Sequence, residues 1–298
     1  MENAEKKIRI IIDTDIGDDI DDAFAIALAL ELPEIEIVGI TTVFKNTRAR
    51  AELVLAELEQ YGRLDIPVYA GCASPFIQEV DVTEIPCQNK VLNREYGPIQ
   101  KQHAVEFIIE QLKTDPNIIL VGLGAMTNIA MAMRLEPEVM KNVKIASMGG
   151  VFCRMEVEWN IFCDPEAAKI VLESGNEIML AGEDVTMDTI LEEGDLEKIR
   201  TSKRPQAEFL RNILQCWFDT YSTHVILHDP LVIAWLVRPE LLTFYQSKVC
   251  VELHGERTRG LTYRDNHNWG EYIEGPVKVG KTVDAREFID WFMEKVFV

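Results

Sequence analysis

Cysteine pairs at the spacing of a zinc site or a redox motif are missing from this chain of 298 residues. Its six cysteines (Cys72, Cys87, Cys153, Cys163, Cys216 and Cys250) are scattered, which excludes a zinc ribbon and a disulfide framework as organising devices. Positive charge is also scarce. Thirty Lys and Arg stand against 50 Asp and Glu, a formal net charge of −20, and a nucleic-acid backbone as partner would demand the reverse. No apolar run approaches the roughly 20 residues of a membrane span. Residues 1–7 are polar and the run at 8–12 is too short for a secretory leader, so the expected partner is no membrane and the expected compartment is the cytoplasm. Linkers, repeats and low-complexity segments are lacking as well, and one domain over residues 1–298 is expected.

What is present is an alternation of short apolar runs and amphipathic segments. Strands are predicted at 8–12, 35–42, 66–69, 118–121, 143–148 and 178–181, with helices at 22–30, 48–61, 103–113, 127–135 and 165–173. That order implies an α/β fold, a mainly parallel open sheet with helices on both faces. After Gly182 the pattern changes to helices at 206–221 and 230–237, strand-like pieces at 249–253 and 260–263, and a last helix at 285–296. Sheets of this kind bind ligands beyond the carboxyl ends of their strands. The polar clusters of this chain lie just after predicted strands.

The densest cluster is Asp13-Thr14-Asp15-Ile16-Gly17-Asp18-Asp19-Ile20-Asp21-Asp22, six aspartates in ten residues. A helix start accounts for two or three of them. Six around one strand end would repel strongly, at roughly 4 kcal/mol for each pair about 4 Å apart at an effective dielectric near 20. A bound hard cation removes that cost, and carboxylates are the ligands Ca²⁺ or Mg²⁺ prefers. An EF-hand fails, because its sixth position needs Gly and here holds Asp18. The D-x-D of haloacid-dehalogenase phosphotransferases matches Asp13 and Asp15 only. Its next positions usually carry a Thr or Val and an apolar residue, where this chain has Gly17-Asp18.

A further set of stations occurs in a recognisable order: Thr41-Thr42-Val43 with Asn46, then Gly122-Leu123-Gly124-Ala125-Met126-Thr127-Asn128. Next come Met148-Gly149-Gly150, Glu158-Trp159-Asn160, Asp164-Pro165-Glu166-Ala167-Ala168, Asp184-Val185-Thr186 and His228-Asp229-Pro230. Together with D-T-D-x-G and D-D-A, this series resembles the inosine/uridine-preferring nucleoside hydrolase family over nearly the whole chain. Taken singly, each piece has a plainer reading. Asn46, Thr127 and Asn128 are good helix caps, and Asp164-Pro165 is expected to be one. His224 and His228 have the spacing of a zinc pair but lack the Glu of H-E-x-x-H.

The resemblance implies a Ca²⁺-dependent hydrolase that releases the base from a ribonucleoside, a Rossmann-related fold and a homodimer or homotetramer. It places calcium on Asp15, Asp22, Asp229 and the Leu123 carbonyl, makes Asp15 the general base and His228 the acid for the leaving base. Asn46, Glu158 and Asn160 then hold the ribose, with Trp159 stacking on sugar or base. Two departures stand out. The acidic loop is two residues longer than the family spacing, so alignment from the strand gives a ribose role to Asp19 and alignment from the helix gives it to Asp21. The second alignment is favoured because it keeps Asp22 on the metal. Residues 81–102 also lack the histidine that many members carry near the nucleobase. The rival readings are a nucleoside- or ribose-binding protein without turnover and a phosphatase built on Asp13 and Asp15.

Overall fold

The structure is a computed structural model, described for residues 7–222, 224–267 and 271–298. Its strands are β1 (Ile8–Thr14), β2 (Ile35–Thr42), β3 (Val68–Ala70), β4 (Ile119–Gly122), β5 (Ile145–Met148), β6 (Ile178–Ala181), β7 (Leu242–Ser247), β8 (Val249–Val251), β9 (Thr262–Arg264), β10 (Asn266–His267), β11 (Glu271–Tyr272) and β12 (Val277–Val283). Between and after them run α1 (Asp21–Glu31), α2 (Thr47–Gln60), α3 (Ala104–Thr114), α4 (Thr127–Leu135), α5 (Pro137–Met140), α6 (Trp159–Cys163), α7 (Pro165–Leu172), α8 (Glu183–Thr186), α9 (Glu193–Thr201), α10 (Pro205–Thr220), α11 (His228–Val237) and α12 (Ala285–Val296).

Eight strands form the main sheet in the order β3-β2-β1-β4-β5-β6-β12-β7. All neighbours are parallel except β12 and β7. The side-chain alternation of β1 sorts the core. Ile10 and Ile12 pack with α1, α11 and α12 on one face, and Ile11 packs with α3, α4 and α7 on the other. Both faces are therefore covered, and the α/β arrangement read from the sequence is the one observed.

Among the elements that escaped the sequence pattern, β7, β12 and α9 are the longest. β7 is an edge strand whose middle residues are exposed, and β12 is interrupted by Gly280 and two lysines, so neither shows a continuous apolar run. α9 is a mostly polar helix closed by a capping box between Glu192 and Asp195. The pieces near 249–253 and 260–263 do form strands, but they pair with each other as β8 and β9 outside the main sheet.

The feature that positions the site is the change of direction at β1. The chain moves from β1 to β2 and β3 on one side, then returns to place β4 on the other. The loops leaving β1 and β4 diverge there and open a crevice at the carboxyl edge.

Candidate active site

Asp13 is the next-to-last residue of β1 and is only 2% exposed. Thr41 Oγ1 (2.6 Å) and Asn128 Nδ2 (2.7 Å) both donate to its Oδ1. Burial pushes its carboxyl up to about 7, and these two hydrogen bonds limit the rise. Asn128 also donates to the Thr42 carbonyl (3.1 Å) and accepts from the Cys72 amide (2.8 Å), so it ties three strand ends together instead of capping α4. Thr127 Oγ1 donates to Asp164 Oδ2 (2.8 Å), and Asp164 caps α7 through the Ala167 amide (3.0 Å), as expected. Asp13 is thus a brace. The phosphatase reading needs it as an accessible nucleophile, which this enclosure prevents.

Beyond this brace lies a cavity of about 960 Å³. Asp15, Asp19, Asp21, Asp22, Leu123, Glu158, Trp159, Asn160, His228 and Asp229 all line it, brought together from the ends of β1, β4 and β5 and the starts of α1, α6 and α11. Among the described residues, one group of three possible metal ligands has oxygens within 4.8 Å of one another: Asp21, Asp22 and Asp229. Burial raises the carboxyls of all three well above the usual range, and neighbouring carboxylates push in the same direction. Asp15 and Asp19 are likewise raised to about 6, chiefly by burial. Asp15 is the first carboxylate acting on Asp22, although the tight trio contains Asp21 in the place the sequence reading gave to Asp15. Gly124 makes room for Asp15, since a Cβ there would stand 2.5 Å from its Oδ1. Buried oxygens that repel one another are a donor set for a hard cation, so the residues fit a divalent metal.

The residues that the sequence reading assigned to the sugar are held as firmly. Glu158 accepts from the amides of Asn160 (2.8 Å), Ile161 (3.1 Å) and Gly150 (3.1 Å). It caps α6, yet burial still lifts its carboxyl to about 7. Asn160 Nδ2 donates to the Leu123 carbonyl at 2.8 Å, the oxygen the sequence reading assigned to the metal. Trp159 is 60% exposed at the rim and stacks on Phe162, with centroids 5.6 Å apart. His228 opens α11, its Nδ1 lies 2.6 Å from Thr186 Oγ1, and burial lowers its imidazole to about 4.

The family model for inosine-uridine preferring nucleoside hydrolase matches residues 10–290. The chain belongs to this family. It is a hydrolase of N-glycosyl bonds in ribonucleosides. A probable uridine nucleosidase 2 of Arabidopsis thaliana is 36% identical over 315 residues, 97% of each chain. The pyrimidine-specific ribonucleoside hydrolase RihA of Salmonella typhimurium is 33% identical over 307 residues, 96% of this chain and 97% of its own. Among solved structures, the plant nucleoside hydrolase PpNRh1 superposes with a TM-score of 0.86 at 28% identity, covering 97% of this chain and 99% of its own.

In this nucleoside hydrolase one expected substrate residue stands apart. Asn46 accepts from the Ala49 amide (3.1 Å), donates to the Thr83 carbonyl (3.3 Å) and does not line the cavity. Its plainer reading as the cap of α2 is the one seen, and the preceding Phe44 and Lys45, both at positive φ, face the cavity instead. The residue sequence reasoning missed is Arg50. Fully enclosed in α2, it donates to the carbonyls of Phe44 (2.9 Å), Ile16 (2.9 Å) and Asp15, and pairs with Asp18 (3.2 Å). Gln88 holds the same loop by donating to the carbonyls of Asp18 (3.2 Å) and Asp19 (2.6 Å). The available signal for Arg50 was its place on the apolar face of α2, three and four residues before Leu53 and Val54. Trp217 and Tyr221 of the α10 end complete the rim, where Tyr221 donates to Asp18 (3.3 Å).

Proposed function

We propose that this chain hydrolyses ribonucleosides with Ca²⁺ held by Asp15, Asp22 and Asp229, assisted by the Leu123 carbonyl. The observation that carries the proposal is the convergence of mutually repelling, buried carboxylates from two distant segments on one cavity. When bound, the metal supplies charge neutralisation and lowers the pKa of a nearby water.

Asp15 opens onto the cavity at the switch point and takes the proton of the attacking water, as the general base. Asp21, with Asp19 beside it, grips a ribose hydroxyl next to the metal ligands. Glu158 and Asn160 hold the opposite side of the sugar, and their own hydrogen bonds to α6 and β4 fix their orientation. Trp159 covers the ring from the rim. As the C–N bond breaks, positive charge develops on the sugar and negative charge on the base. The cluster of acids favours the first. His228 answers the second: Thr186 holds Nδ1, and the ring, neutral in the empty cavity, takes up a proton from water as charge builds and passes it from Nε2 to the departing base. The names of the Arabidopsis and Salmonella relatives support pyrimidine ribonucleosides, uridine first, as substrates. The eight-stranded sheet and the near full-length match support one domain, and membership of the family supports a cytoplasmic homodimer or homotetramer, measurable by light scattering.

Comparing uridine with deoxyuridine tests the sugar site. Loss of a hydroxyl that a buried polar site is built to bind costs a factor of about 10⁴. Equal rates on the two would contradict the account. Ribose binding without hydrolysis of any nucleoside would favour the binding-protein reading.

A further inference from the structure

Beside the nucleoside cavity lies a second one of about 820 Å³, and the two share a wall. The segment from Phe152 to Glu158 turns Glu156, Val157 and Glu158 toward the first cavity and Phe152, Cys153 and Arg154 toward the second. The start of α8 is divided in the same way, with Glu183 on the first side and Asp184 on the second.

The lining of the second cavity is unlike the rest of this acidic chain. Arg154, Arg264 and Lys281 face it against the single carboxylate of Asp184. That carboxylate is already occupied by the amides of Phe152 (2.5 Å) and Cys153 (3.1 Å). Arg264 is built in. Its guanidinium lies between the rings of Tyr245 and Tyr272, 3.9 and 3.8 Å from their centroids, and its Nε donates to Ser247 Oγ at 2.7 Å. Among the described residues no other hydrogen bond or ion pair is made by Arg264, so its terminal nitrogens form a planar, fixed fork. Lys281 lies over the Tyr245 ring, 4.9 Å from the centroid, and has no ion-pair partner among the described residues. A rigid guanidinium fork with a second cation lining the same cavity is the chemistry that recognises phosphate. Tyr263 on the same wall is 46% exposed and has no ring or cation stacked on it among the described residues, which leaves a face for a nucleobase.

We propose that this second cavity binds a small phosphate monoester and communicates its occupancy to the nucleoside cavity through Arg154. Arg154 pairs with Glu183 (2.9 Å) and with Glu156 on the first side, and approaches Asp184 (3.9 Å) on the second. A dianion in the second cavity competes for that guanidinium. Release of Glu156 and Glu183 loosens the wall that carries Glu158, so the KM for nucleoside rises while the phosphate site is filled. The coupling rests on the first cavity being the substrate site; the binding itself does not.

Calorimetric titration of the full chain with inorganic phosphate, ribose 5-phosphate and uridine monophosphate tests the site. Binding of at least one ester is expected in the wild type and in Asp229→Asn, with a loss of about 10-fold or more in Arg264→Gln. Arg264→Lys, which keeps the charge but not the fork, should also bind more weakly, and thermal unfolding of both variants checks that they fold. Tyr263→Ala distinguishes the sources: it weakens the nucleotide alone if the base stacks there, and leaves all three unchanged if only the phosphate is held. No binding by any of the three, or a loss in Asp229→Asn with none in Arg264→Gln, overturns the proposal. For the coupling, a saturating ester should raise the KM for uridine about 5-fold in the wild type. It should leave KM unchanged in Arg154→Gln. An unchanged wild-type KM with the site filled removes the coupling. A protein that hydrolyses no nucleoside defeats the proposed function and leaves the calorimetric result standing.

Discussion

His228 and Asp229 are adjacent in sequence, and the first turn of α11 presents both to the cavity, one as a neutral ring and the other as part of the carboxylate trio. Their tasks are separable by substrate. If His228 protonates the departing base, His228→Ala should slow uridine hydrolysis by about 10²–10⁴. A p-nitrophenyl riboside, whose leaving group needs no proton, should be affected far less. Equal losses on both substrates, with reduced calcium content, would instead mean that His228 only packs against Asp229. The carboxylates divide in a similar way. Asp229→Ala should lose bound calcium, measured by atomic emission on the purified protein, whereas Asp21→Asn should retain it and raise KM. Retained calcium in Asp229→Ala would remove that residue from the ligand set.

At the level of elements, the loop between β1 and α1, which the sequence reading makes two residues longer than the pattern it resembles, is held from outside by α2. Arg50 reaches from α2 under the loop and satisfies the carbonyls of Ile16 and Phe44, while Gln88 secures the far side. Arg50→Ala leaves the enclosed carbonyls of Phe44, Asp15 and Ile16 without its guanidinium and Asp18 without its ion-pair partner. A destabilisation of about 3 kcal/mol is expected in urea unfolding, with weaker calcium affinity. Unchanged stability would show that the loop holds itself. Little of this was legible in the sequence, because Arg50 and Gln88 are distant from the loop in the chain and belong to no motif that names their partners. Asp15 and Leu123, just after strands, and Glu158 and His228, at helix starts, were legible because each comes from a motif whose place is fixed by local pattern. Asn46 shows the limit, since cap and ligand share one residue type and only the three-dimensional arrangement separates them. The same holds for the sheet. β1 to β6 are dominated by apolar residues, with Arg9 in β1 and Glu36 in β2 as charged interruptions near their starts, whereas β7 and β12 are half exposed and were hidden by their polar residues.

For the molecule as a whole, the cavity at the switch point concentrates negative charge in a protein already at −20. That arrangement links metal, pH and stability. Burial raises Asp13 to about 7 and Asp15 and Asp19 to about 6, all above the roughly 3.9 of an unfolded aspartate. In chelated protein the folded state therefore holds more protons than the unfolded one between these values, and stability falls as pH rises through 6 to 7. The melting temperature after chelation should drop from pH 5 to pH 8, and added calcium should shrink the drop by removing the share of Asp15. A rise over that interval would contradict the burial of these groups. The central claim, a metal-dependent hydrolysis of ribonucleosides in this cavity, is tested most directly by base release. Purified protein should liberate free base from uridine or another common ribonucleoside, lose that activity on chelation and regain it when calcium is restored. Base release that continues undiminished in the thoroughly chelated protein would contradict it.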